Sequence, residues 1–217
     1  MNQASGRPRV LVLASGRGSN FEALAKAVER GEAPIELVGL VGDRPSAPCF
    51  ELARSLGVKT LCLPVEGKKR RDYDALLAEA VAGFEPDWIL LLGWMRLLSE
   101  VFLRRFPGRV INLHPALPGC FPGVDAIGRA WAAARTGEGS VTGVMLHFVP
   151  DEGVDSGPAI IVRELGIGPD ETLESLESRM HSLEHEMVVE LAKRLRKDGI
   201  VDRSTTADTD SGQGGSI

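Results

Sequence analysis

Two short polar segments in the second half of the chain contain the residue types that acyl-group chemistry requires. The segment 111–115 contains Asn112 and His114, which are two positions apart and therefore point to the same side of an extended backbone. The segment 151–158 carries the carboxylate of Asp155 in a glycine-rich loop. An amide and an imidazole can stabilise an oxyanion and move a proton, and a carboxylate can fix the imidazole tautomer. These residues favour acyl transfer over redox or phosphoryl chemistry, and a strand end with capping polar residues is the alternative.

A glycine-rich loop near the N-terminus is a second candidate site. Residues 16–20 read Gly-Arg-Gly-Ser-Asn between a predicted strand and a predicted helix, where backbone N–H groups attract an anion and Ser19 and Asn20 can donate or cap. Phe21 occupies the position of the third glycine of the dinucleotide fingerprint, and no Gly-Lys-Ser/Thr of a Walker loop follows. The loop indicates an anion site, and a tight strand-to-helix turn is the alternative.

The other histidines and basic residues give weaker signals. His147 lies in an apolar strand beside Phe148, a pattern more typical of a hydrogen-bonded core residue than of a ligand. His181 and Glu184 share one face of the last helix, and periodicity alone indicates a solvated helix edge. The basic run 68–71 is interpreted in the same way, as a solvated helix start. We expect no metal site, because no HxH or HExxH spacing occurs.

Composition is that of an ordinary globular chain of 217 residues, with 43% hydrophobic and 25% charged residues. The net charge of -5 argues against a nucleic-acid-binding surface. Three widely spaced cysteines, with no CxxC, suggest neither a disulfide framework nor a zinc knuckle, and they fit a reducing cytoplasm. The N-terminus lacks an apolar signal segment, and the longest apolar run, 88–92, is too short to span a membrane.

Apolar runs alternate with amphipathic stretches over the first half of the chain. This order predicts βαβ units and an α/β fold with a doubly wound, mostly parallel sheet. The predicted strands are 10–14, 35–41, 60–63, 88–92 and 110–113. Ligands bind beyond the carboxyl ends of such strands, so the loops 16–20, 93–96 and 112–114 should meet there. The helices predicted between the strands include 47–56, one with a stripe from Tyr73 to Val81, and 98–106.

The second half of the chain has a different pattern. Asp125 is expected to cap a helix that continues through Ala134 and stops near Gly137. Runs at 143–149 and 159–165 predict an antiparallel extension of the sheet. Leucines and methionines spaced by three or four between 173 and 195 predict a long C-terminal helix. The polar segment 201–217 is expected to be a disordered tail.

Together these motifs, in chain order, resemble the phosphoribosylglycinamide formyltransferases of purine biosynthesis over roughly residues 8–197. The segments that carry the resemblance are 18–20, 93–96, 112–115, 147–149, 151–158 and 179–185. The resemblance implies a Rossmann-like formyltransferase fold in a single domain, 1–200. That domain would have a nucleotide-phosphate half at about 8–108 and a folate and catalytic half at about 109–200.

The resemblance also implies the reaction, in which 10-formyltetrahydrofolate donates its formyl group to the amine of glycinamide ribonucleotide (GAR). Asn112, His114 and Asp155 match the catalytic residues, with Asp155 holding and charging His114. Residues matching the GAR site are Gly18, Ser19, Asn20, His181 and Glu184. Residues matching the folate site are Arg70, Met95, Arg96, Leu97, Leu98, Asn112, Val149 and Asp151.

By the same resemblance, the chain is a cytoplasmic enzyme acting on small molecules, as a monomer or homodimer, without nucleic acid or membrane partners. Folate is a co-substrate, and no tightly bound cofactor or metal is expected. The chain departs from many relatives at four positions. Those relatives have a phenylalanine in place of Trp94, a serine in place of Ala116, a different loop residue in place of Gly119 and a histidine in place of Asp125.

Three other functions share some of these features. Methionyl-tRNA formyltransferase has the same catalytic residues but carries a C-terminal tRNA-binding domain. Formyltetrahydrofolate deformylase has the same core but carries an N-terminal regulatory domain. A non-catalytic nucleotide-binding module would explain the loop 18–20 and leave Asn112, His114 and Asp155 without a role.

Overall fold

The alternation of apolar runs and amphipathic stretches corresponds to alternating strands and helices in the computed structural model, which describes residues 6–201. The strands are β1 (Arg9–Leu13), β2 (Glu36–Gly42), β3 (Thr60–Cys62), β4 (Trp88–Leu91), β5 (Val110–His114), β6 (Val141–Phe148) and β7 (Ala159–Gly166). The helices are α1 (Ser19–Glu29), α2 (Cys49–Ser55), α3 (Arg70–Ala82), α4 (Glu100–Leu103), α5 (Ala126–Thr136) and α6 (Leu173–Arg194).

All seven strands belong to one sheet in the order β3-β2-β1-β4-β5-β6-β7. The first five are parallel, and β6 pairs antiparallel with both β5 and β7. The predicted doubly wound sheet with an antiparallel extension is therefore confirmed. The strand order reverses between β1 and β4, which is where such sheets bind ligands.

Helices cover both faces of the sheet, so that the central strands are apolar on both sides. Successive residues of β1 show this directly. Val10 and Val12 belong to the cluster that includes α1, α2, α5 and α6, whereas Leu11 and Leu13 belong to the cluster with α3 and α4. Since the strands are fixed from both faces, their carboxyl ends form a rigid edge for the loops that follow them.

Two predicted local features are wrong. The helix expected at 98–106 is reduced to α4, because the N–H of Ser99 is held in extended backbone by Asp74 at 2.5 Å and because Phe106 precedes a proline, which disfavours helical backbone. Asp125 stands at the N-cap of α5 but has left-handed backbone, with φ 53°, and its side chain forms no cap hydrogen bond within the described range. The predicted end of that helix at Gly137 is confirmed.

Between residues 6 and 201, none of the helices combines the length and the apolar character needed to cross a bilayer. The predicted tail falls outside the described residues from position 202 onward.

Candidate active site

The loops that follow β1 and β4 are joined directly at the carboxyl edge of the sheet. The Ser15 N–H donates to the Gly93 carbonyl at 3.0 Å, and the Met95 N–H donates to the Ser15 hydroxyl oxygen at 3.2 Å. Ser15 is 2% exposed, so this connection is buried. The predicted meeting of these two loops therefore occurs.

The Asp155 carboxylate contacts both other residues of the predicted catalytic group. The Asn112 side-chain amide donates to its Oδ1 at 3.0 Å, and His114 Nδ1 lies 3.3 Å from its Oδ2. The backbone N–H of Gly123 also donates to Oδ2, at 2.8 Å. The side chains of His114 and Asp155 are only 5% and 11% exposed. An amide, an imidazole and a carboxylate thus share one poorly hydrated site, where electrostatic interactions are stronger than in water.

His147 is a fourth member of this group that the sequence pattern did not assign to the site. It is buried and hydrogen-bonded, as expected for a core residue, because its Nδ1 donates to the Phe148 carbonyl at 2.8 Å. Its Nε2 then accepts from the Asn112 amide at 3.2 Å and lies 3.6 Å from Asp155 Oδ1. Both amide protons of Asn112 are therefore engaged, one with His147 and one with Asp155.

The second ring nitrogen of His114 faces a backbone carbonyl rather than open space. Nε2 lies 3.1 Å from the Phe121 oxygen, and because a carbonyl can only accept, this contact is a hydrogen bond when Nε2 carries the proton. Burial lowers the pKa of His114 below its usual value, and the Asp155 carboxylate and the Phe121 carbonyl oppose that shift only in part. The Asp155 carboxylate therefore shifts the pKa of His114 in the direction that the sequence predicted, but in the free protein the loss of hydration has the larger effect.

Asp155 is the charged member of the group. Burial by itself raises its pKa, but His147, the Gly123 N–H and His114 together outweigh burial, so the pKa of Asp155 is lowered. A neutral imidazole beside an ionised carboxylate can donate a hydrogen bond from one nitrogen and exchange a proton through the other. This pair of protonation states suits proton transfer close to neutral pH.

The residues expected at the nucleotide-phosphate site form a second group between α1 and α6. Glu184 accepts from the Asn20 amide at 3.0 Å and contacts His181 Nδ1 at 3.1 Å. Glu184 is only 5% exposed, so the solvated helix edge indicated by periodicity is wrong at this position. The hydrogen bond with Glu184 raises the pKa of His181 despite the opposing effect of burial, and a cationic His181 would attract an anion.

The start of α1 is shaped by a glycine rather than by a side-chain cap. Gly18 is the N-cap residue with φ 83°, and a Cβ at this position would lie 2.7 Å from the Cβ of Cys49. Over the described residues, neither Ser19 nor Asn20 caps the helix through its side chain. Ser19 is the first residue of α1, so its backbone N–H is one of the unpaired donors that can hold an anion.

The residues expected to bind folate differ in their accessibility. Met95 and Leu97 are 59% and 47% exposed, so their side chains are free to contact a ligand. Leu98 is 3% exposed and belongs to the buried core cluster, so its side chain is not free in this way. The guanidinium of Arg96 lies over the Tyr73 ring, 5.2 Å from its centroid, which fixes the loop after β4 against α3.

The basic run at the start of α3 contributes a structural ion pair as well as charge. Arg70 pairs with Glu152, and the other carboxylate oxygen of Glu152 accepts from the Glu100 N–H at 2.8 Å. Arg70 also approaches the Leu98 carbonyl at 3.4 Å. The loop that carries Asp155 is thereby attached to α3 and α4. Arg70 is the first residue of α3, as the basic run indicated, but its side chain is ion-paired rather than fully solvated.

The remaining two folate candidates lie at the base of the same loop. Val149 continues the sheet by donating to the Val110 carbonyl at 3.0 Å, and Asp151 accepts from the Gly153 N–H at 2.8 Å. A cavity of about 280 Å³ beside this loop is lined by residues of the segments 118–122 and 154–157, including Asp155. A larger cavity of about 500 Å³ is lined by Val28, Leu37 and their neighbours and contains none of the predicted site residues.

Comparisons with known proteins agree with this geometry. The Formyl transferase family model matches residues 8–192. The phosphoribosylglycinamide formyltransferase of Bacillus subtilis is 35% identical over 185 residues, which cover 85% of this chain and 92% of that protein. The protein of the same name from Schizosaccharomyces pombe is 37% identical over 204 residues, covering 87% of this chain and 97% of the relative.

Solved structures show the same similarity. Glycinamide ribonucleotide transformylase 1 from Geobacillus kaustophilus has a TM-score of 0.79 at 39% identity, covering 84% of this chain and 96% of the other. The protein of that name from Symbiobacterium toebii has a TM-score of 0.82 at 33% identity, covering 94% of this chain and 95% of the other.

Proposed function

The chain belongs to the phosphoribosylglycinamide formyltransferases of the formyl transferase family, enzymes of purine biosynthesis, and from this membership we propose its reaction and the residues that perform it. The reaction is transfer of the formyl group of 10-formyltetrahydrofolate to the amine of GAR. The observation that carries the proposal is the buried convergence of Asn112 and His114 on the carboxylate of Asp155.

In the proposed mechanism the neutral GAR amine attacks the formyl carbon, and a carbon–nitrogen bond forms while the formyl oxygen becomes an oxyanion. One N–H of Asn112 and the Nε2–H of His114 then donate hydrogen bonds to that oxygen instead of to their present partners. Each such donor typically contributes ~2.7–4 kcal/mol to transition-state stabilisation. Their present partners, including the Phe121 carbonyl at 3.1 Å, are therefore exchanged for the substrate oxygen on binding.

Proton transfer completes the reaction without net gain or loss. Asp155, held ionised, accepts the proton that the attacking amine loses. His114 gives its Nε2 proton to the folate nitrogen as the carbon–nitrogen bond to folate breaks, while Asp155 passes its proton to Nδ1 through the 3.3 Å contact. Exchange with solvent then returns the histidine proton from Nδ1 to Nε2 before the next turnover. A proton thus passes from the GAR amine to the departing folate, and both protein groups return to their starting states.

We assign the two substrates to opposite groups of residues. The phosphate of GAR binds at Gly18, Ser19 and Asn20, where glycine backbone and a helix start offer N–H donors. Glu184 accepts from a hydroxyl of the GAR ribose, and the raised pKa of His181 supports a cation beside the phosphate.

Folate occupies the surface formed by the loop after β4 and the loop before Asp155. The exposed side chains of Met95 and Leu97 contact its rings, and the backbone at Leu98, Val149 and Asp151 supplies polar contacts. Arg70, Arg96 and the amide of Asn112 complete the proposed folate contacts, with Asn112 shared with the reacting formyl oxygen.

The proposal is tested by following the absorbance of folate product released from a 10-formylfolate donor, with and without GAR. We expect release only when GAR is present. Release that does not depend on GAR would show a hydrolase, and no release under either condition would show that the protein is not a formyltransferase of this type.

A further inference from the structure

Arg129 on α5 holds the loop that lies over the catalytic group. Its Nη2 donates to the Phe121 carbonyl and to the Pro122 carbonyl, each at 2.7 Å. Its guanidinium also lies 5.9 Å from the centroid of the Phe121 ring. One side chain thus fixes two consecutive carbonyl groups and the aromatic ring between the strand end and the helix.

The Phe121 carbonyl is the same oxygen that accepts from His114 Nε2, at 3.1 Å. Phe121 has left-handed backbone with φ 46°, which a non-glycine residue adopts only when its surroundings impose it. The same loop supplies the Gly123 N–H that donates to Asp155. The position of this carbonyl therefore depends on Arg129 from one side and on the catalytic residues from the other.

The protonation of His114 follows from this contact. Both ring nitrogens face acceptors, the Phe121 oxygen at Nε2 and the Asp155 carboxylate at Nδ1, but a neutral imidazole has one proton to share between them. The Asp155 carboxylate is the stronger acceptor, so the proton stays on Nε2 only while a fixed carbonyl accepts it there. If the carbonyl moves away, the proton is free to shift to Nδ1, where the carboxylate accepts it, and Nε2 becomes an acceptor that cannot stabilise an oxyanion.

We propose that Arg129 is a positioning residue that sets the tautomer of His114 by holding the Phe121 carbonyl against Nε2. When the formyl oxygen replaces this carbonyl, the carbonyl keeps its hydrogen bond with Arg129 and is not left unpaired. The role in turnover depends on the proposed function, whereas the effect on the tautomer does not.

The test compares Arg129→Gln and Arg129→Lys with a matched control, Arg135→Gln. Arg135 lies on the same helix, covers the ring of Trp131 and donates to two loop carbonyls, those of Gly168 and Pro169, away from the catalytic group. The lysine variant keeps the charge but has a single terminal nitrogen in place of the planar fork, so it should retain only part of the contact with the two carbonyl groups.

Nitrogen NMR of the imidazole rings in the substrate-free protein gives the first readout, and the chain has only four histidines to assign. We expect the His114 proton on Nε2 in the wild type and in Arg135→Gln. In Arg129→Gln it should move toward Nδ1, with an intermediate distribution in Arg129→Lys. A proton that stays on Nε2 in both Arg129 variants, or that already lies on Nδ1 in the wild type, would overturn the proposal.

Kinetics give the second readout. Arg129→Gln should lower kcat by about 10-fold and leave both KM values within about 3-fold, because the donor acts mainly in the transition state. Wild-type kinetics in Arg129→Gln, or a loss confined to KM, would refute the role in turnover. If the wild type itself shows no GAR-dependent transfer, the proposed function fails, and the NMR result still decides how the tautomer is set.

Discussion

Asp155→Asn keeps the shape of the side chain and converts one of its two acceptor oxygens into a donor. In the structure Oδ1 accepts from the Asn112 amide at 3.0 Å and Oδ2 accepts from the Gly123 N–H at 2.8 Å. In either orientation the new NH₂ group faces one of these donors. The substitution therefore removes a charge, a proton acceptor and one hydrogen bond together.

The expected magnitudes follow from these contacts. One poorly hydrated donor left unpaired should lower the free energy of unfolding by ~1–3 kcal/mol at neutral pH. Loss of the proton acceptor should lower kcat by ~10²-fold or more, since general acid–base catalysis contributes that much. The KM for GAR should remain within about 3-fold of the wild-type value, because Asp155 acts mainly on the transition state.

The stability difference should also depend on pH in a defined direction. The pKa of Asp155 is lowered in the folded protein, so the carboxylate stabilises the fold above its unfolded pKa of ~3.9 and loses this effect as pH falls through the folded value. The gap between wild type and Asp155→Asn should therefore be constant near neutral pH and shrink below about pH 4.

The assay combines steady-state kinetics with urea unfolding of the wild type, Asp155→Asn and a control, Asp170→Asn, at an exposed turn. We expect the control to match the wild type in both measurements. A near-normal kcat in Asp155→Asn would remove Asp155 from the mechanism, and a GAR KM raised as strongly as kcat is lowered would show a binding residue instead.

Three further predictions concern the GAR site and the loop that carries Asp155. Glu184→Ala should raise the KM for GAR by about 10-fold or more with little change in kcat, because a hydrogen bond to a charged group is lost; an effect on folate KM alone would show that the two substrate sites are exchanged. Because the pKa of His181 is raised, its charge is lost only as pH rises through that raised value, so wild-type GAR KM should increase there and stay flat in His181→Gln; identical pH profiles would exclude His181 from GAR binding. Gly157→Ala should lower the free energy of unfolding by at least ~2 kcal/mol, since its Cβ would lie 1.8 Å from the Phe148 carbonyl; Gly199→Ala, with open space around it, is the control, and equal urea midpoints would contradict the packing.

Much of the fold was predictable because the central strands are apolar on both faces. Runs such as 88–92 have no polar side to suggest a solvated strand, and the helices between the strands then require parallel crossovers. The short α4 was not predictable from its apolar spacing. Its start is set by the contact between Ser99 and Asp74, which are distant in sequence.

The catalytic residues were predictable to the extent that they depend on local geometry. Asn112 and His114 share one side of β5 because alternate residues do so in any strand. His147 was missed because its place beside Asn112 depends on the register between β5 and β6, in which these two residues are direct partners. An antiparallel extension was predicted, but its register was not.

Burial and protonation were the least predictable features of the site. Helix periodicity identifies the main apolar face of α6, whereas Glu184 is buried by α1, which packs on the edge of that face. The lowered pKa of His114 could not be predicted from its carboxylate neighbour, because it depends on how much water the whole site excludes.

The central claim is that the chain moves a formyl group from folate to the GAR amine, and an isotopically labelled formyl donor tests it most directly. After incubation with the protein and GAR, we predict that mass spectrometry finds the label on GAR in an amount equal to the folate released. Label recovered as free formate, with GAR unchanged, would contradict the proposed transfer and show hydrolysis instead.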